Sequence, residues 1–277
     1  MAGKLKIGII GGTGLEDPKI FENAREVEYD TPFGKPSDKL KEGTIHGVPC
    51  VLVSRHGKKH DIDPSGINYR ANLWALKQAG VHAILASHAS GSLVEEIKPG
   101  DFVFVDSFID RTQKRQQTFY GKGEGELKGV CHIPCHPAYN EKLRQTLIKT
   151  AEALQIPHHK NGTIICIEGP RYSSRAESNM FRQWGATVIN MTVVPEVILA
   201  LELGIPYQSI ALSTDYDCWK DDTEGVSVDL VDRTLKANAE NAKKLLVEAV
   251  AALANRDKEM LEEYEKAQKT AKASIMG

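Results

Sequence analysis

Much that would commit a chain to a membrane, a nucleic acid or an oxidising compartment is missing from this one. No apolar run approaches the roughly 20 residues that a spanning helix needs. The 35 basic and 37 acidic side chains leave a net charge of −2, which offers no electrostatic footprint for nucleic acid or an anionic lipid surface. Cysteines are few and odd in number, five, with no CxxC pair. Reduced thiols are therefore expected, with no disulfide framework. The N-terminal MAGKLKIGIIGG has neither the length nor the cleavage site of a signal peptide and is expected to be a first strand. Internal repeats and low-complexity segments are also absent, so neither a solenoid nor a disordered tail is suggested.

What is present is an ordinary globular mixture. The 277 residues, 41% hydrophobic and 26% charged, suit one α/β domain or at most two, with a large core. The most informative stretch is Ile167 to Glu196, IEGPRYSSRAESNMFRQWGATVINMTVVPE. Gly169 and Pro170 punctuate it. From Ser174 a helix is predicted, with Ala176, Met180, Phe181 and Trp184 toward a core and Gly185 as its stop. Ala186 to Ile189 then forms a short strand ending in Asn190-Met191-Thr192. A polar cluster at the carboxyl end of a buried strand is where an open α/β sheet places its ligand.

Other strand ends repeat that pattern. Leu5 to Ile10 runs into Gly11-Gly12-Thr13-Gly14, whose glycines let backbone amides approach an anion. A dinucleotide fingerprint would need a third glycine where Asp17 stands, and a simple tight turn fits equally well. Gly43 to Val53 is predicted as a hairpin with its tip at His46-Gly47-Val48. It ends in Ser54-Arg55-His56-Gly57-Lys58-Lys59-His60, either a solvated charged loop or an anion clamp built on the planar Arg fork. Asn68 to Gly80 is an amphipathic helix, and Val81 to Ala86 a strand opening into Ser87-His88-Ala89. Phe102 to Phe108 alternates as a strand, and Gln113 to Gly129, polar and rich in glycine, is predicted to be a surface loop or lid. Tyr207 to Leu212 is a core strand ending in Ser213-Thr214-Asp215-Tyr216-Asp217-Cys218-Trp219. A long helix over Val226 to Leu253 and a Lys/Glu-rich helical tail complete the chain. Four polar strand ends (Thr13, Arg55-His56, Thr192, Asp215-Asp217) on one rim make a site with an anion half and an acidic half.

GPRYSSRAE, VINMTVVPE and STDYDCW, in this order, closely resemble the methylthioadenosine phosphorylases, a branch of the trimeric nucleoside phosphorylases, from about Lys6 to Leu253. The resemblance implies a single-domain, twisted, mixed β-sheet flanked by helices over residues 1–254. Residues 255–277 form a helical tail that contacts a neighbouring subunit, with Met276 the residue that would close over its site. It also implies the reaction: phosphate attacks C1' of S-methyl-5'-thioadenosine, adenine leaves, and 5-methylthioribose 1-phosphate forms. Phosphate is a co-substrate, and no metal or organic cofactor is expected.

The expected ligands follow from the same resemblance. Thr13, Arg55, His56, His88, Ala89 and Thr192 would hold phosphate. Many relatives carry Thr at the position of His88, which could donate to phosphate or point away and leave Ser87 or the Ala89 amide to do so. Met191, Tyr172, Tyr216 and His60 would contact the nucleoside. Asp215 would protonate N7 of the leaving purine, and Asp217 would hold its 6-amino group. Ser173 and Asp215 favour a 6-aminopurine, since related 6-oxopurine enzymes carry Glu and Asn there. Val228 and Met191 would make the apolar 5' pocket, and His132 would reach a neighbour's site. A homotrimer in the cytoplasm, with the nucleus as a second compartment, and a role in purine and methionine salvage are implied.

Competing readings are a phosphorylase for inosine and guanosine, an NAD-dependent oxidoreductase lacking its third glycine, and a non-catalytic interaction protein. Cys131-His132-Ile133-Pro134-Cys135-His136 invites zinc, but its spacing matches no standard finger or ribbon.

Overall fold

Strands β1 (Ile7–Gly11), β4 (Val48–Ser54) and β5 (Ala83–Ser92) are buried almost without a break, through apolar side chains in all but the end of β5. That is expected of parallel strands covered on both faces. Their side chains still alternate: Ile10, Val51, Val53, Ile84 and Ala86 join one core, while Ile7, Ile9, Cys50, Leu52, Ala83 and Leu85 join another. This computed structural model describes residues 4–11 and 20–277.

The first core is closed by helices α1 (Tyr69–Gln78) and α4 (Val193–Glu202), through Leu73, Leu76, Val197 and Leu199. The second is closed by α2 (Glu141–Ala153) and α5 (Val228–Ala254), through Leu143, Leu147, Leu245 and Leu246. The caps follow local chemistry. Asn68, Asn140 and Ser227 accept the amide hydrogens of Ala71, Leu143 and Leu230. Ser174 and Glu177 form a reciprocal capping box at the start of α3 (Arg175–Gln183).

The sheet forks at β5. β5 pairs in parallel with β12 (Tyr207–Asp215) along most of its length, and on the other side with β1 over Ala83 to Ala86. At its far end it pairs antiparallel with β11 (Val188–Asn190), Gly91 opposite Ile189. One limb runs outward through β1, β4, β3 (Leu40–Ile45) and β2 (Glu22–Val27). Another runs through β11, β10 (Thr163–Ile167) and β7 (Ser107–Arg111). β12 also carries β6 (Phe102–Phe104) and, beyond it, β9 (His158–His159). The expected single strand over Phe102 to Phe108 is thus two. Its halves serve different limbs, and the step between them is held by Asp106 and Gly162 through paired backbone and side-chain bonds.

The predicted lid is packed, not loose. Phe119 is fully buried, and Glu202 takes hydrogen bonds from its amide and from the Thr118 hydroxyl. The tail is helix α6 (Asp257–Ala273), with Met260 buried against the second core. It ends in β13 (Ile275–Met276), antiparallel to β8 (Val130–Cys131). Among the described residues no helix is long and apolar enough to cross a membrane.

Candidate active site

The fork collects strand ends around one cavity of about 420 Å3, within the size range of small-molecule pockets. Arg55 and His56 follow β4, where the Arg55 amide donates to the Gly11 carbonyl at 3.0 Å. Ala89, Ser90 and Gly91 come from the end of β5, Asn190 to Thr192 from β11, and Thr214, Asp215 and Asp217 from β12. A register shift in β12 between Ser213 and Asp215 re-aims the last residues of that strand. Gly91 permits the approach: a Cβ there would lie 3.0 Å from Asp215 Oδ1 and 3.1 Å from Ile189.

The anion half is organised by a buried network. Arg55 is 1% exposed. Its Nε and Nη2 donate to Glu196 Oε2 and Oε1 at 2.8 and 3.0 Å, and its Nη1 to the Ser87 carbonyl at 2.9 Å. With five guanidinium donors, N–H groups remain on Nη1 and Nη2 beside the cavity that Arg55 lines. Tyr207 donates its hydroxyl to Glu196 Oε1 at 2.7 Å. His88 Nε2 lies 3.1 Å from the Tyr207 oxygen, and its Nδ1 lies 2.9 Å from Thr192 Oγ1. Burial, with Arg55 and His56 beside it, holds the His88 pKa well below the ordinary value. Burial likewise takes His56 down to about 4, although its Nδ1 sits 2.8 Å from the Ile62 carbonyl. His60 is exposed, lines the cavity and lies 4.5 Å, ring to ring, from His56.

The acidic half holds Asp215, 3% exposed. Burial pushes its carboxyl above the ordinary range, against the opposing Thr214 hydroxyl and Asp217 amide, which donate to it at 2.7 Å each. Asp217 is also raised by burial. Its backbone takes φ 48°, a left-handed conformation that Asp tolerates better than most residues, and this turns its amide back onto Asp215. Ser173 Oγ, Asp217 Oδ2 and both side-chain polar atoms of Asn190 are buried without a well-formed hydrogen bond among the described residues, although the Ser178 and Ser173 hydroxyls lie near enough to Asp217 to offset part of its rise. Tyr172, half-buried, and Met191 complete the wall.

A pocket with cationic donors at one end and a raised carboxyl at the other suits transfer between an anion and a base. A family model described as the phosphorylase superfamily matches residues 6–251. The chain belongs to that family. It is 58% identical to S-methyl-5'-thioadenosine phosphorylase of Xenopus tropicalis over 254 residues, 91% of this chain and 90% of the relative. Against the Caenorhabditis elegans enzyme of the same name it is 56% identical over 253 residues, 91% and 88% of the two. The solved structure of methylthioadenosine phosphorylase from Schistosoma mansoni in complex with adenine matches with a TM-score of 0.95 and 42% identity, covering 99% of each chain. A Ser-to-Thr variant of that enzyme, solved with methylthioadenosine, gives 0.94.

Not every expected ligand reaches the cavity. Thr13 lies outside the described residues. His88 stands behind Thr192, both ring nitrogens engaged within the protein. Tyr216 turns outward, with Lys220 over its ring at 4.3 Å. Val228 is 72% exposed, and Val226 and Val231 line the cavity instead. His132 is exposed, its amide donating to the Ser274 carbonyl, and Met276 is exposed beside it. Cys131 and Cys135 are free thiols, and no group of three or more His, Cys, Asp or Glu among the described residues is placed to hold a metal ion.

Sequence reasoning missed Arg115. It donates to the carbonyls of Met191 and Val194 at 2.6 Å each and of Glu168 at 2.7 Å, tying three walls together. Nothing in QKRQQ sets it apart from a solvated run. Glu196 had a signal, a carboxylate inside the VVPE motif, but its partner Arg55 is 141 residues away.

Proposed function

We propose that this chain catalyses phosphorolysis of S-methyl-5'-thioadenosine, giving adenine and 5-methylthioribose 1-phosphate. The observation that carries the reading is a buried carboxyl of raised pKa, Asp215, in one cavity with the Arg55 guanidinium and the Thr192 hydroxyl. An oxygen of phosphate attacks C1' as the C1'–N9 bond breaks, and the bonding pair passes into the purine. The dianion stabilises the oxocarbenium character of the sugar. Asp215, protonated at its pushed-up pKa, gives its proton to N7 of the departing base. Asp217, Ser173 and Asn190 face the base as acceptors and donors, Tyr172 walls it, and Met191 packs beneath the ribose. His60 lies at the mouth, toward the sugar. Arg55, His56, the Ala89 amide and Thr192 hold phosphate, and Thr13 is assigned to the same anion.

Phosphate is the co-substrate, and the reaction takes no metal or organic cofactor. We assign the β8–β13 ribbon, with His132 and Met276, to contact with a neighbouring subunit of a homotrimer. We further assign the chain to purine and methionine salvage in the cytoplasm, with the nucleus as a second compartment.

Base release from methylthioadenosine, adenosine and inosine, each with and without phosphate, tests the reading. Phosphate-dependent adenine release, fastest with methylthioadenosine, is expected. Preference for inosine would move the assignment to a 6-oxopurine phosphorylase, and release without phosphate to a hydrolase.

A further inference from the structure

We propose that His88 is a specificity-determining positioning residue, which makes the Thr192 hydroxyl an acceptor toward the cavity and so selects a protonated oxyanion (hydrogen phosphate or hydrogen arsenate) over sulfate. The inference rests on the phosphorolysis reading and assigns the anion preference of the same site.

The hydrogens can be counted along the buried network. Glu196 is paired through both oxygens with Arg55 and serves as acceptor. Tyr207 has one hydroxyl hydrogen, and it is spent on Glu196 Oε1 at 2.7 Å. The Tyr207 oxygen can then only accept, so the 3.1 Å contact with His88 Nε2 requires the hydrogen on Nε2. Arg55 Nη2 also approaches His88 Nε2, but at 3.5 Å, the limit of a hydrogen bond, so the shorter Tyr207 contact decides the tautomer and the second Nη2 hydrogen is left for the cavity. A His88 ring sealed from water beside a guanidinium is neutral. Its Nδ1 is therefore a lone pair, and the 2.9 Å contact with Thr192 Oγ1 is donated by the threonine. With its one hydrogen turned away from the cavity, Thr192 presents only lone pairs to the anion.

Sulfate has no hydrogen at neutral pH, whereas the phosphate and arsenate dianions each keep one. Against Thr192, sulfate meets oxygen lone pair to lone pair. Turning the hydroxyl around would relieve this but leave His88 Nδ1 buried and unpaired. Moving the ring hydrogen to Nδ1 would instead set Nε2 against the Tyr207 oxygen. His56 cannot make this distinction, because an anion beside it favours its protonated, donating form.

The test compares competition by sulfate with saturation by phosphate during methylthioadenosine phosphorolysis, with arsenate as an alternative co-substrate. In the unaltered chain, phosphate and arsenate should both support adenine release, and sulfate should compete weakly. His88→Leu frees the Thr192 hydrogen and should improve sulfate competition relative to phosphate about tenfold or more. Tyr207→Phe, at a residue that lines no part of this cavity, releases Nε2 from its donor role and should shift the ratio in the same direction. His88→Asn, whose side-chain oxygen can take over from Nδ1, should restore discrimination. Direct titration of phosphate and sulfate by calorimetry reads the same ratio without turnover, and histidine-selective nitrogen NMR should find the hydrogen on Nε2. Sulfate binding as well as phosphate in the unaltered chain, an unchanged ratio in both His88→Leu and Tyr207→Phe, or the hydrogen on Nδ1 would overturn the proposal and leave phosphorolysis standing. Adenine release that needs no phosphate would instead overturn the reading on which it rests.

Discussion

The two halves of the cavity are built on opposite plans. In the anion half, Arg55, Glu196, Tyr207, His88 and Thr192 bond to one another in a buried network that leaves only Arg55 N–H groups over as donors to the cavity. In the base half, Ser173, Asn190 and Asp217 keep buried polar atoms without a well-formed hydrogen bond among the described residues, the Ser173 hydroxyl standing only loosely beside Asp217. A bonded network orients its donors and acceptors before any ligand arrives, which lowers the cost of binding a small, strongly hydrated anion. Buried polar atoms left open are costly in the protein alone. A base that pairs with them recovers that cost, so such a wall rejects a base with the wrong edge more strongly than it attracts the right one. The anion half is therefore expected to govern stability and the base half to govern turnover and specificity.

The sharpest test of that division is Asp215→Asn. It should lower kcat on methylthioadenosine by about 10²–10⁴-fold, the usual worth of a general acid, while phosphate affinity measured by calorimetry stays unchanged. Undiminished turnover would remove Asp215 from the reaction. The same variant has a stability signature. A carboxyl raised in the folded state contributes stability that is present below its ordinary pKa of 3.8 and is lost as pH rises through the folded value. Asp215→Asn should accordingly gain on the unaltered chain in urea melts as pH rises from 4 toward neutrality.

On the other side of the comparison, Glu196→Ala should cost about 3–5 kcal/mol in urea unfolding, because it strands the Arg55 charge in the interior. A loss under about 1 kcal/mol would mean that solvent or anion reaches Arg55 freely. Arg115→Met removes donors from three carbonyls and should cost about 2 kcal/mol. It should also raise the KM for nucleoside, through Met191, more than that for phosphate. Equal increases would break the separation of the two halves.

His56 links the anion half to pH. Burial depresses its pKa from 6.5 to about 4, so its contribution to stability is present above 6.5 and is lost as pH falls toward 4. His56→Gln should flatten the acid limb of the unfolding midpoint over that window. The smallest effect is expected at Val228. Val228→Ala, at an exposed position, should change stability by less than about 0.5 kcal/mol and leave the preference for methylthioadenosine over adenosine unchanged. Val231→Asn, within the lining, should reduce that preference.

Legibility in the sequence followed the range of the physics. The helix start at Ser174, the His46-Gly47 hairpin tip and the Asn190 to Thr192 cluster depend on neighbours within a few residues, and local patterning exposes them. Tail helix α6 was equally plain as a charged amphipathic run. The 113–129 segment is the surface loop its composition suggests, but its anchors stayed hidden because polar side chains that serve buried partners look the same as solvated ones. Arg115 and Thr118 earn their burial from Met191, Val194 and Glu202, far along the chain. The break between β6 and β7 was hidden for a similar reason: alternation shows a strand, not which limb of a forked sheet it joins.

By itself, the sequence determined the α/β class, the polar strand ends that carry the chemistry and, through three motifs in order, the family. These rest on local periodicity, turn chemistry and residue identity. The tertiary structure alone decided that His88 supports Thr192 instead of lining the cavity, that Val226 and Val231 stand where Val228 was expected, and that burial pushes the Asp215 carboxyl above its ordinary range. The direction of a hydrogen bond and the pKa of a carboxyl depend on what lies within a few ångströms in space. Residues 88, 192, 196 and 207 become neighbours only when β5, β12 and the start of α4 close on one another.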